Sequence, residues 1–209
     1  MKLVLASNNA KKLAELKVLF DGLPIELIGQ ATLGIGEAEE PHGTFVENAL
    51  AKARHAARAS GLAAIADDSG LCVDALGGAP GVQSAVYAPA PSAAGDREAQ
   101  RRAQDAANNA LLLQQMGAHA DRRCRFVSTL VALRHADDPE PLIAFGRWDG
   151  TLLAAPRGGG GFGYDPLVWI DALQASVAEL DATAKNRASH RALAAAQMRT
   201  LMRSAWRIG

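Results

Sequence analysis

The chain has 209 residues, a length typical of one domain or of two lobes that share a sheet. With 49% hydrophobic and 21% charged residues it has a globular composition, which excludes a chain disordered throughout. Its 22 basic and 22 acidic side chains give a net charge of zero, which disfavours a protein that binds DNA or RNA through phosphates. Any anion-binding site must therefore be local.

The N-terminus and the two cysteines bear on the location of the protein. The apolar run Leu3–Ala6 is shorter than the ~7–15 residues of a signal-peptide core, and no apolar stretch approaches the ~20 residues of a membrane helix. Cys72 and Cys124 are too few for a disulfide framework and lack metal-ligand spacing, so we expect reduced thiols. We predict a cytoplasmic protein that binds neither membrane nor nucleic acid.

Strand patterns and helix patterns alternate along the chain. The predicted strands are Leu3–Ala6, Ile25–Ile28, Leu62–Ala66, Phe126–Leu133, Leu142–Phe145 and Leu167–Ile170. The predicted helices follow Ser7-Asn8-Asn9 up to Gly22, follow the capping box Thr44-Phe45-Val46-Glu47 to about Ser60, and span about Asp96–Met116 and Ser189–Ala205. Turns are predicted at Asp137–Pro139 and Trp148–Gly150. This order predicts a single α/β domain over residues 1–209, with a mixed sheet because of the central hairpin.

The segment between the first strand and the first helix is a candidate phosphate site. It consists of Ser7, Asn8, Asn9, Ala10, Lys11 and Lys12. A helix N-terminus presents free N–H groups and a partial positive charge to an anion, and hydroxyl, amide and ammonium groups could bind further oxygens. The alternative is an ordinary helix cap with solvated lysines. The segment is not a Walker A loop, because the glycines and the Gly-Lys-Ser/Thr ending are absent.

Two adjacent carboxylates, Asp67 and Asp68, follow the predicted strand Leu62–Ala66, and Ser69 and Gly70 come next. Ligands of α/β sheets bind at the carboxyl ends of strands. Because side chains alternate along extended backbone, the two carboxylates point in different directions and we expect different roles. One could bind Mg²⁺, which takes one or two carboxylates together with water and substrate phosphates. The alternative is an Asx-turn that closes the strand onto Gly70.

An acidic loop lies upstream of these carboxylates, with Glu37, Glu39 and Glu40 within Thr32–Gly43. One of its glutamates could complete a metal site with Asp68. The alternative is a solvated acidic loop without a ligand. The residues by themselves leave both interpretations open.

A glycine-rich run occupies Arg157–Pro166 and matches the spacing G-x-G-x-x-G by count. The dinucleotide fingerprint requires a helix after the glycines, and a strand-like run follows here, so we reject that interpretation. We predict instead a loop whose backbone approaches a flat ligand, with Phe162 or Tyr164 stacking on it and Asp165 accepting hydrogen bonds. A bare turn is the alternative.

Basic and hydroxyl side chains gather at the start of the last predicted helix. Lys185 and Ser189 are four residues apart and would share one helix face, which His190 and Arg191 extend. The alternative is a solvated surface helix.

In their order along the chain, these segments closely resemble one family, the inosine triphosphate pyrophosphatases. The likeness spans Leu3 to about Leu201. The segments that carry it are Ser7-x-Asn9-x-x-Lys12-x-x-Glu15, Phe45-x-Glu47-Asn48-Ala49, Ala66-Asp67-Asp68-Ser69-Gly70-Leu71, Gly77-Gly78-Ala79-Pro80-Gly81, Gly161-Phe162-Gly163-Tyr164-Asp165-Pro166 and Ser189-His190-Arg191. Three departures are Ser7-Asn8-Asn9 for the family's Thr-Gly-Asn, Val86 for an arginine, and Thr183-Ala184 for acidic residues.

The resemblance implies a function, a fold and a cofactor. The implied reaction is hydrolysis of ITP, dITP and XTP to the monophosphate and pyrophosphate, which removes these nonstandard purine nucleotides from the nucleotide pool. The implied fold is elongated and mixed α/β, with two lobes flanking a central nucleotide-binding cleft. The implied assembly is a homodimer, and the implied cofactor is Mg²⁺.

The resemblance also implies roles at the matching positions. Asp68, with Asp67 beside it, would bind metal and act as the general base, and Glu40, or in second place Glu39, would be the other metal ligand. Residues 7–12 would bind the triphosphate, and Ser69 would also contact the substrate. The base pocket and its rim would comprise Phe162, Gly163, Tyr164, Asp165, Lys185, His190 and Arg191.

The chemistry of the purine suggests how such a pocket selects its substrate. A 6-oxo purine offers an acceptor where adenine offers a donor, so donors from His190, Arg191 or backbone N–H groups would fit inosine and xanthine. A buried mispaired group costs about 1–3 kcal/mol, which suffices to reject adenine. Rejection of guanine must come from the 2-position, and the residues do not show how.

Three other functions use the same residues. A non-catalytic nucleotide sensor would have little reason to place two carboxylates near phosphates without a metal. An RNA- or protein-interaction module is disfavoured by the zero net charge and the three scattered tryptophans. A pyrophosphatase for modified pyrimidine triphosphates differs only in its substrate.

Overall fold

The computed structural model describes residues 1–91 and 96–209 of the chain. The strands in this part are β1 (Lys2–Leu5), β2 (Glu26–Gly29), β3 (Ala63–Val73), β4 (Arg123–Leu133), β5 (Leu142–Leu152), β6 (Val168–Ile170) and β7 (Ala175–Ser176). The helices are α1 (Ala10–Leu19), α2 (Phe45–Ser60), α3 (Arg97–Met116), α4 (Ala182–Ala188) and α5 (His190–Ala205). Among these helices, none is both long and apolar enough to cross a membrane.

The sheet has the strand order β2-β1-β3-β4-β5-β6-β7. β1 pairs in parallel with β2 and β3, whereas β6 pairs antiparallel with β5 and β7. The predicted α/β class with a mixed sheet is therefore confirmed.

The chain divides into two compact units. Unit 1 comprises Met1–Asp68, Ser128–Arg147 and Asn186–Gly209. Unit 2 comprises Ser69–Val127 and Trp148–Lys185. Because the chain crosses between the units several times, neither unit is a continuous segment.

In unit 1, the sheet is covered by helices on both faces. Leu3 and Leu5 of β1 pack in one cluster with residues of α1 and α5, while Val4 packs in a second cluster with the alanines of α2. Both faces of β1 are therefore buried, which explains why its sequence is apolar without alternation.

The predicted second helix is confirmed as α2, with Thr44 as N-cap and Gly61 after its end at φ 68°. The Thr44 hydroxyl accepts from the Glu47 N–H at 3.4 Å and donates to the Glu47 carboxylate at 2.6 Å. The buried side of α2 carries small alanines and one lysine, Lys52. The alanines let the helix approach the sheet closely, and the lysine stands at a position where the pattern calls for another small apolar residue.

Of the two turns predicted for the central region, the one at Asp137–Pro139 is confirmed between β4 and β5, and the one at Trp148–Gly150 is wrong. Trp148 and Gly150 lie inside β5, which continues to Leu152. The buried and exposed residues alternate through this stretch, and a Cβ at Gly150 would lie 2.7 Å from the carbonyl oxygen of Trp169 in β6. Gly150 therefore permits close approach of the neighbouring strand, a use of glycine that sequence alone does not distinguish from a turn.

The last predicted helix is confirmed as α5, but Lys185 does not belong to it. Lys185 lies in the separate short helix α4, and Ser189 between the two helices is extended, with φ −65° and ψ 155°. The Ser189 hydroxyl accepts from the Ala192 N–H at 3.2 Å and caps α5. The prediction that Lys185 and Ser189 share one helix face is therefore wrong, because Ser189 is the N-cap of a new helix.

The turn of the β4–β5 hairpin provides a first test of the fold. The buried Asp138 carboxylate accepts from the backbone N–H groups of Arg134 and Glu140, both at 3.0 Å, and from the Arg134 side chain. We expect Asp138→Ala to lower the free energy of unfolding by about 1–3 kcal/mol, because the turn loses the buried carboxylate that accepts all these hydrogen bonds. Urea denaturation of both forms measures the difference.

The control for this test is Asp137→Ala, since Asp137 is 89% exposed and is expected to change stability by no more than about 0.5 kcal/mol. The Arg134 hydrogen bond outweighs burial and lowers the pKa of Asp138. The stabilisation is therefore present above the unfolded pKa of about 3.9 and is lost as the pH falls below it. Equal losses in both variants would contradict this account of the turn.

Candidate active site

The turn between β1 and α1 in unit 1 is organised by its own side chains. The Asn9 side chain accepts from the Lys11 and Lys12 N–H groups at 3.0 and 3.2 Å, and the Ser7 hydroxyl accepts from the Asn9 N–H at 3.1 Å. Asn9 thus caps α1, and Ser7 fixes the turn that precedes it. The Asn8 Oδ1 atom is buried and has no hydrogen-bond partner in the described part of the chain. Ala10 and Lys11 are exposed at the first turn of α1.

Lys12 points from α1 to the carboxylate of Asp67, and their Nζ and Oδ2 atoms are 2.9 Å apart. Burial lowers the pKa of Lys12, and the neighbouring charges of Arg191 and Lys52 lower it further, while Asp67 acts in the opposite direction. Lys12, which was predicted to bind phosphate, therefore forms an ion pair with Asp67.

Asp67 and Asp68 lie inside β3, so the prediction that they follow the end of a strand is wrong. Strand β3 continues to Val73 beside β4, which is equally long, and pairing with β4 extends it past the acidic residues. The Asx-turn alternative is thereby excluded for Asp68, whereas the expected difference between the two carboxylates is confirmed by their partners.

Asp67 is fully buried among cations and a hydroxyl group. The Arg191 Nε and Nη2 atoms donate to its Oδ2 at 3.1 and 3.0 Å, and the Ser128 hydroxyl donates to Oδ1 at 2.6 Å. Burial raises the pKa of Asp67, but the charges of Arg191 and Lys12 outweigh it and hold the pKa well below the usual range. Asp67 is therefore a permanent anion that orders its neighbours.

Arg191 was expected at the rim of the base pocket, and the structure gives its guanidinium a different set of partners. The side chain is 2% exposed, and it joins Asp67 to Glu15 of α1, whose carboxylate lies 2.5 Å from Nη1. All three guanidinium nitrogens thus contact carboxylates of unit 1. His190, the first residue of α5, is also buried.

Asp68 faces a different cation, the buried Lys52 of α2. The Lys52 Nζ atom lies 2.7 Å from Asp68 Oδ1 and 2.7 Å from Glu40 Oε2. The Oδ2 atom of Asp68 is buried and has no hydrogen-bond partner among the described residues. Burial raises the pKa of Asp68 to about 6, although Lys52 acts in the opposite direction. Glu40 is the acidic-loop residue that the structure brings to Asp68.

These residues fit a divalent cation of the Mg²⁺ type. Two carboxylates contact a single ammonium nitrogen, and Asp68 also offers an oxygen without a partner in the described chain. No group of three or more histidine, cysteine or acidic ligands occurs in the described residues. One or two carboxylates, completed by water and phosphate oxygens, suit Mg²⁺, which rarely has an all-protein cage.

Sequence reasoning missed Lys52, Ser128 and the role of Glu15. A signal for Lys52 exists, because it occupies the apolar stripe of α2 together with Ala49, Ala53 and Ala56. A lysine at such a position needs a buried anionic partner. Ser128 carries no comparable signal, since its role depends on the pairing of strands distant in sequence.

The glycine-rich loop forms a second cluster, which lies in unit 2. Asp165 Oδ2 accepts from the Phe162 N–H at 3.0 Å and from Lys185 Nζ at 2.7 Å, and the Lys185 ammonium lies 4.8 Å from the centre of the Phe162 ring. A Cβ at Gly161, where φ is 73°, would lie 2.1 Å from Asp165 Oδ2. The loop thus closes around the Asp165 carboxylate, whose Oδ2 atom accepts from the protein itself.

The other loop residues also have assigned contacts. Gly163 donates its N–H to Asp105 at 2.8 Å, and its carbonyl oxygen accepts from Asn109 at 3.0 Å. Tyr164 is buried and donates its hydroxyl to the carbonyl oxygen of Ser84 at 3.0 Å, so it anchors the loop. Phe162 is half-buried. Ser69 is half-buried in β3 beside Asp68.

Unit 1 thus holds two buried carboxylates paired with lysine and arginine side chains, and unit 2 holds a glycine-rich loop that closes around the Asp165 carboxylate. The chain belongs to the Ham1 family, whose sequence model matches residues 3–201. The family recognised from the sequence is thereby confirmed.

Named relatives and solved structures agree with this assignment. The chain is 71% identical to a dITP/XTP pyrophosphatase of Methylibium petroleiphilum over 99% of each chain, and 68% identical to one of Leptothrix cholodnii over 100% of each. The structure of a HAM1 protein from Coxiella burnetii superposes with a TM-score of 0.85 at 41% identity, covering 97% of this chain and 98% of that one. The Ham1 protein of Staphylococcus aureus gives a TM-score of 0.82 at 34% identity, with 98% and 100% covered.

Proposed function

We propose that this protein is a nucleoside triphosphate pyrophosphatase that converts dITP, ITP and XTP to the monophosphate and pyrophosphate. The chain is similar over its full length to enzymes named dITP/XTP pyrophosphatase, at 71% and 68% identity, which supports this reaction and agrees with the prediction from the sequence. The observation on the molecule itself that carries the proposal is Asp68, a buried carboxylate with one oxygen that has no partner in the described chain.

We assign the phosphate side of the reaction to unit 1. A nucleoside triphosphate carries about four negative charges, which repel an incoming nucleophile unless cations neutralise them. Lys12 and Lys52 supply ammonium groups, and Asn8 offers a polar side chain at the turn before α1. Asp68 orients the attacking water and accepts its proton.

Asp68 and Glu40 are the residues that would hold Mg²⁺. The ion would supply charge neutralisation on the phosphate oxygens and polarise the phosphoryl group. Asp67 has another role, because it is committed to Arg191, Lys12 and Ser128. It fixes Lys12 next to β3 and so orients the phosphate-binding side of unit 1.

We assign the purine to the glycine loop of unit 2. The Phe162 ring is the stacking surface, and Lys185, whose ammonium carries three N–H donors, is the donor for the 6-oxo group. The backbone N–H groups of Phe162 and Gly163, considered as donors from the sequence, already donate to Asp165 and Asp105. Adenine has an amino group where these substrates have the oxygen and would place a donor against the ammonium.

A substrate panel tests the proposed selectivity. We expect kcat/KM for XTP and dITP to exceed that for ATP by at least about 10²-fold, the discrimination that one or two mispaired buried groups provide. Purified protein with Mg²⁺ and equal concentrations of XTP, dITP, ITP, GTP and ATP gives the comparison, and a modified pyrimidine triphosphate belongs in the same panel. A preference for ATP or for the pyrimidine would refute the assignment of the purine.

Lys52 allows a separate test of the metal site. Its ammonium lies between Asp68 and Glu40, where a divalent cation would have to compete with it. We expect Lys52→Met to tighten Mn²⁺ binding in the absence of nucleotide by about tenfold or more, because two like charges about 4 Å apart repel by about 4 kcal/mol near a protein surface. Electron paramagnetic resonance of free Mn²⁺ measures the affinity.

The matched control is Arg54→Met, which removes an exposed positive charge from the same helix. We expect Mn²⁺ affinity to be unchanged in this variant. Weaker binding in Lys52→Met than in the original protein would contradict the competition between Lys52 and the metal.

We further propose a homodimer in the cytoplasm, as the family resemblance implies. Cys72 and Cys124 are buried and are not joined in a disulfide, which accords with a reducing compartment. Burial raises the pKa of the Cys124 thiol to about 12, which keeps it unreactive. Light scattering after size exclusion distinguishes a dimer from a monomer of 21.8 kDa.

A further inference from the structure

Helix α3 of unit 2 presents two side chains to the glycine loop, and both contact Gly163. Asp105 Oδ2 accepts the Gly163 N–H at 2.8 Å, and Asn109 Nδ2 donates to the Gly163 carbonyl oxygen at 3.0 Å. The two residues are four positions apart, so they lie on one face of the helix. Gly163 has a φ of 61°, a left-handed conformation that the two hydrogen bonds hold in place.

The same face of α3 holds a second segment of unit 2. Asn108 donates to the carbonyl oxygens of Ser84 and Ala85 at 3.2 and 3.1 Å, and its own oxygen accepts from the Ala88 N–H at 2.8 Å. The Ser84 carbonyl oxygen also accepts from the Tyr164 hydroxyl at 3.0 Å. The glycine loop is therefore attached to α3 directly through Gly163 and indirectly through Tyr164.

Asp105 and Asn109 are polar and only half-buried, so they do not belong to the hydrophobic core. Their hydrogen bonds to Gly163 therefore do not serve to pack the loop against a core. What they fix is the direction of the main chain between Phe162 and Asp165. These two residues carry the stacking ring and the carboxylate that holds Lys185. A loop with several glycines has many accessible conformations, so restraint at Gly163 reduces the entropy lost when a ligand binds.

We propose that Asp105 and Asn109 are positioning residues for the purine, and that their hold on Gly163 sets the affinity for the base. This inference rests on the proposed function. Asp105 acts as a charged acceptor and Asn109 as a donor. The contact with Gly163 therefore needs an acceptor at position 105 and a donor at position 109. Both side chains belong to unit 2, which carries the glycine loop, whereas the residues assigned to the triphosphate and its metal belong to unit 1, so the effect is expected in binding of the base.

The test uses three substitutions that remove, reverse or retain the hydrogen-bonding groups that contact Gly163. Asn109→Asp replaces the donor with an acceptor, and Asp105→Ala removes the acceptor, whereas Asp105→Asn retains an acceptor oxygen and serves as the rescue variant. We expect Asn109→Asp and Asp105→Ala to raise KM for XTP by about tenfold with kcat within about twofold. Asp105→Asn should stay within about threefold of the original KM.

Two controls separate positioning from a loss of structure. Gln104→Ala changes a neighbouring residue of α3 that contacts Ala88 and Asn108, and its KM should be unchanged. Inorganic tripolyphosphate, which lacks the base, should inhibit all variants with the same inhibition constant. Thermal unfolding of each variant reports any loss of stability independently.

Two results would overturn the inference while leaving the proposed function intact. One is an unchanged KM in Asn109→Asp and Asp105→Ala with only a lower unfolding temperature, and the other is an equal weakening of tripolyphosphate binding. Absence of XTP turnover in the unsubstituted protein would instead refute the proposed function, and this inference with it.

Discussion

Asp68→Asn is expected to lower kcat for XTP by about 10²–10⁴-fold, the contribution typical of a general base. Asparagine has nearly the same shape and its oxygen can still accept from Lys52, which lies 2.7 Å from Asp68 Oδ1. The fold should therefore persist, while the substituted side chain can neither accept a proton nor neutralise a cation. Initial rates of pyrophosphate release at saturating XTP and Mg²⁺ measure the loss.

Two variants of neighbouring glutamates in the acidic loop, Glu40→Gln and Glu39→Gln, test the second metal ligand. Glu39 and Glu40 are both exposed, and Glu40 is the one that contacts Lys52, at 2.7 Å. We expect Glu40→Gln to raise the Mg²⁺ concentration needed for half-maximal rate and Glu39→Gln to leave it unchanged. Full activity of Asp68→Asn would refute the role of Asp68 as general base. A larger rise in the Mg²⁺ requirement in Glu39→Gln than in Glu40→Gln would identify Glu39 as the metal ligand.

Arg191→Met is expected to lower the free energy of unfolding by about 3–5 kcal/mol, because breaking a buried ion pair leaves an uncompensated charge. Arg191 is 2% exposed, and the Asp67 side chain that it contacts is fully buried. Methionine fills a similar volume but provides no hydrogen bond to Asp67 or Glu15. Chemical denaturation at neutral pH measures the loss.

Arg203→Met provides the control, since Arg203 is an exposed residue of the same helix and should change stability by no more than about 0.5 kcal/mol. The double variant Arg191→Met/Asp67→Asn should lose less than the sum of the two single losses, because it leaves no unpaired Asp67 charge. Additive losses would show that the Arg191–Asp67 pair is not the source of the effect.

The pH dependence of this pair has a definite sign. The pKa of Asp67 is held well below its usual range, because Arg191 and Lys12 outweigh the effect of burial. A carboxyl with a lowered pKa stabilises the folded state above its unfolded pKa of about 3.9, and the stabilisation is lost as the pH falls below that value. The difference between the original protein and Arg191→Met should therefore shrink in acid.

Elements with a strong local signal could be predicted from the sequence. The cap at Thr44 and the glycine at 61 marked α2, and the continuous apolar run of β1 marked a strand buried on both faces. Where a residue had two physical uses, prediction failed. Gly150 permits a close strand contact where a turn was expected, and Ser189 starts a new helix between α4 and α5.

The sequence names the candidate site residues, but it predicts only some of the contacts between them. Adjacent carboxylates on extended backbone were expected to differ, and the partners of Asp67 and Asp68 confirm it. The ion pair of Arg191 with Asp67 joins residues 124 positions apart, a contact that depends on the packing of α5 against the sheet. No local pattern encodes such a contact. Lys52 did carry a local signal, because it is a lysine in the apolar stripe of α2, but its partners Asp68 and Glu40 depend on how α2 packs.

The most direct test of the central claim is to identify which phosphate bond is cleaved. Hydrolysis of XTP in ¹⁸O-enriched water, followed by ³¹P nuclear magnetic resonance, separates the products and shows which phosphorus gains the label. The account predicts xanthosine monophosphate and pyrophosphate as the first products, formed without initial orthophosphate. Release of orthophosphate and a diphosphate would contradict it, as would tight XTP binding without turnover, the behaviour of a nucleotide sensor.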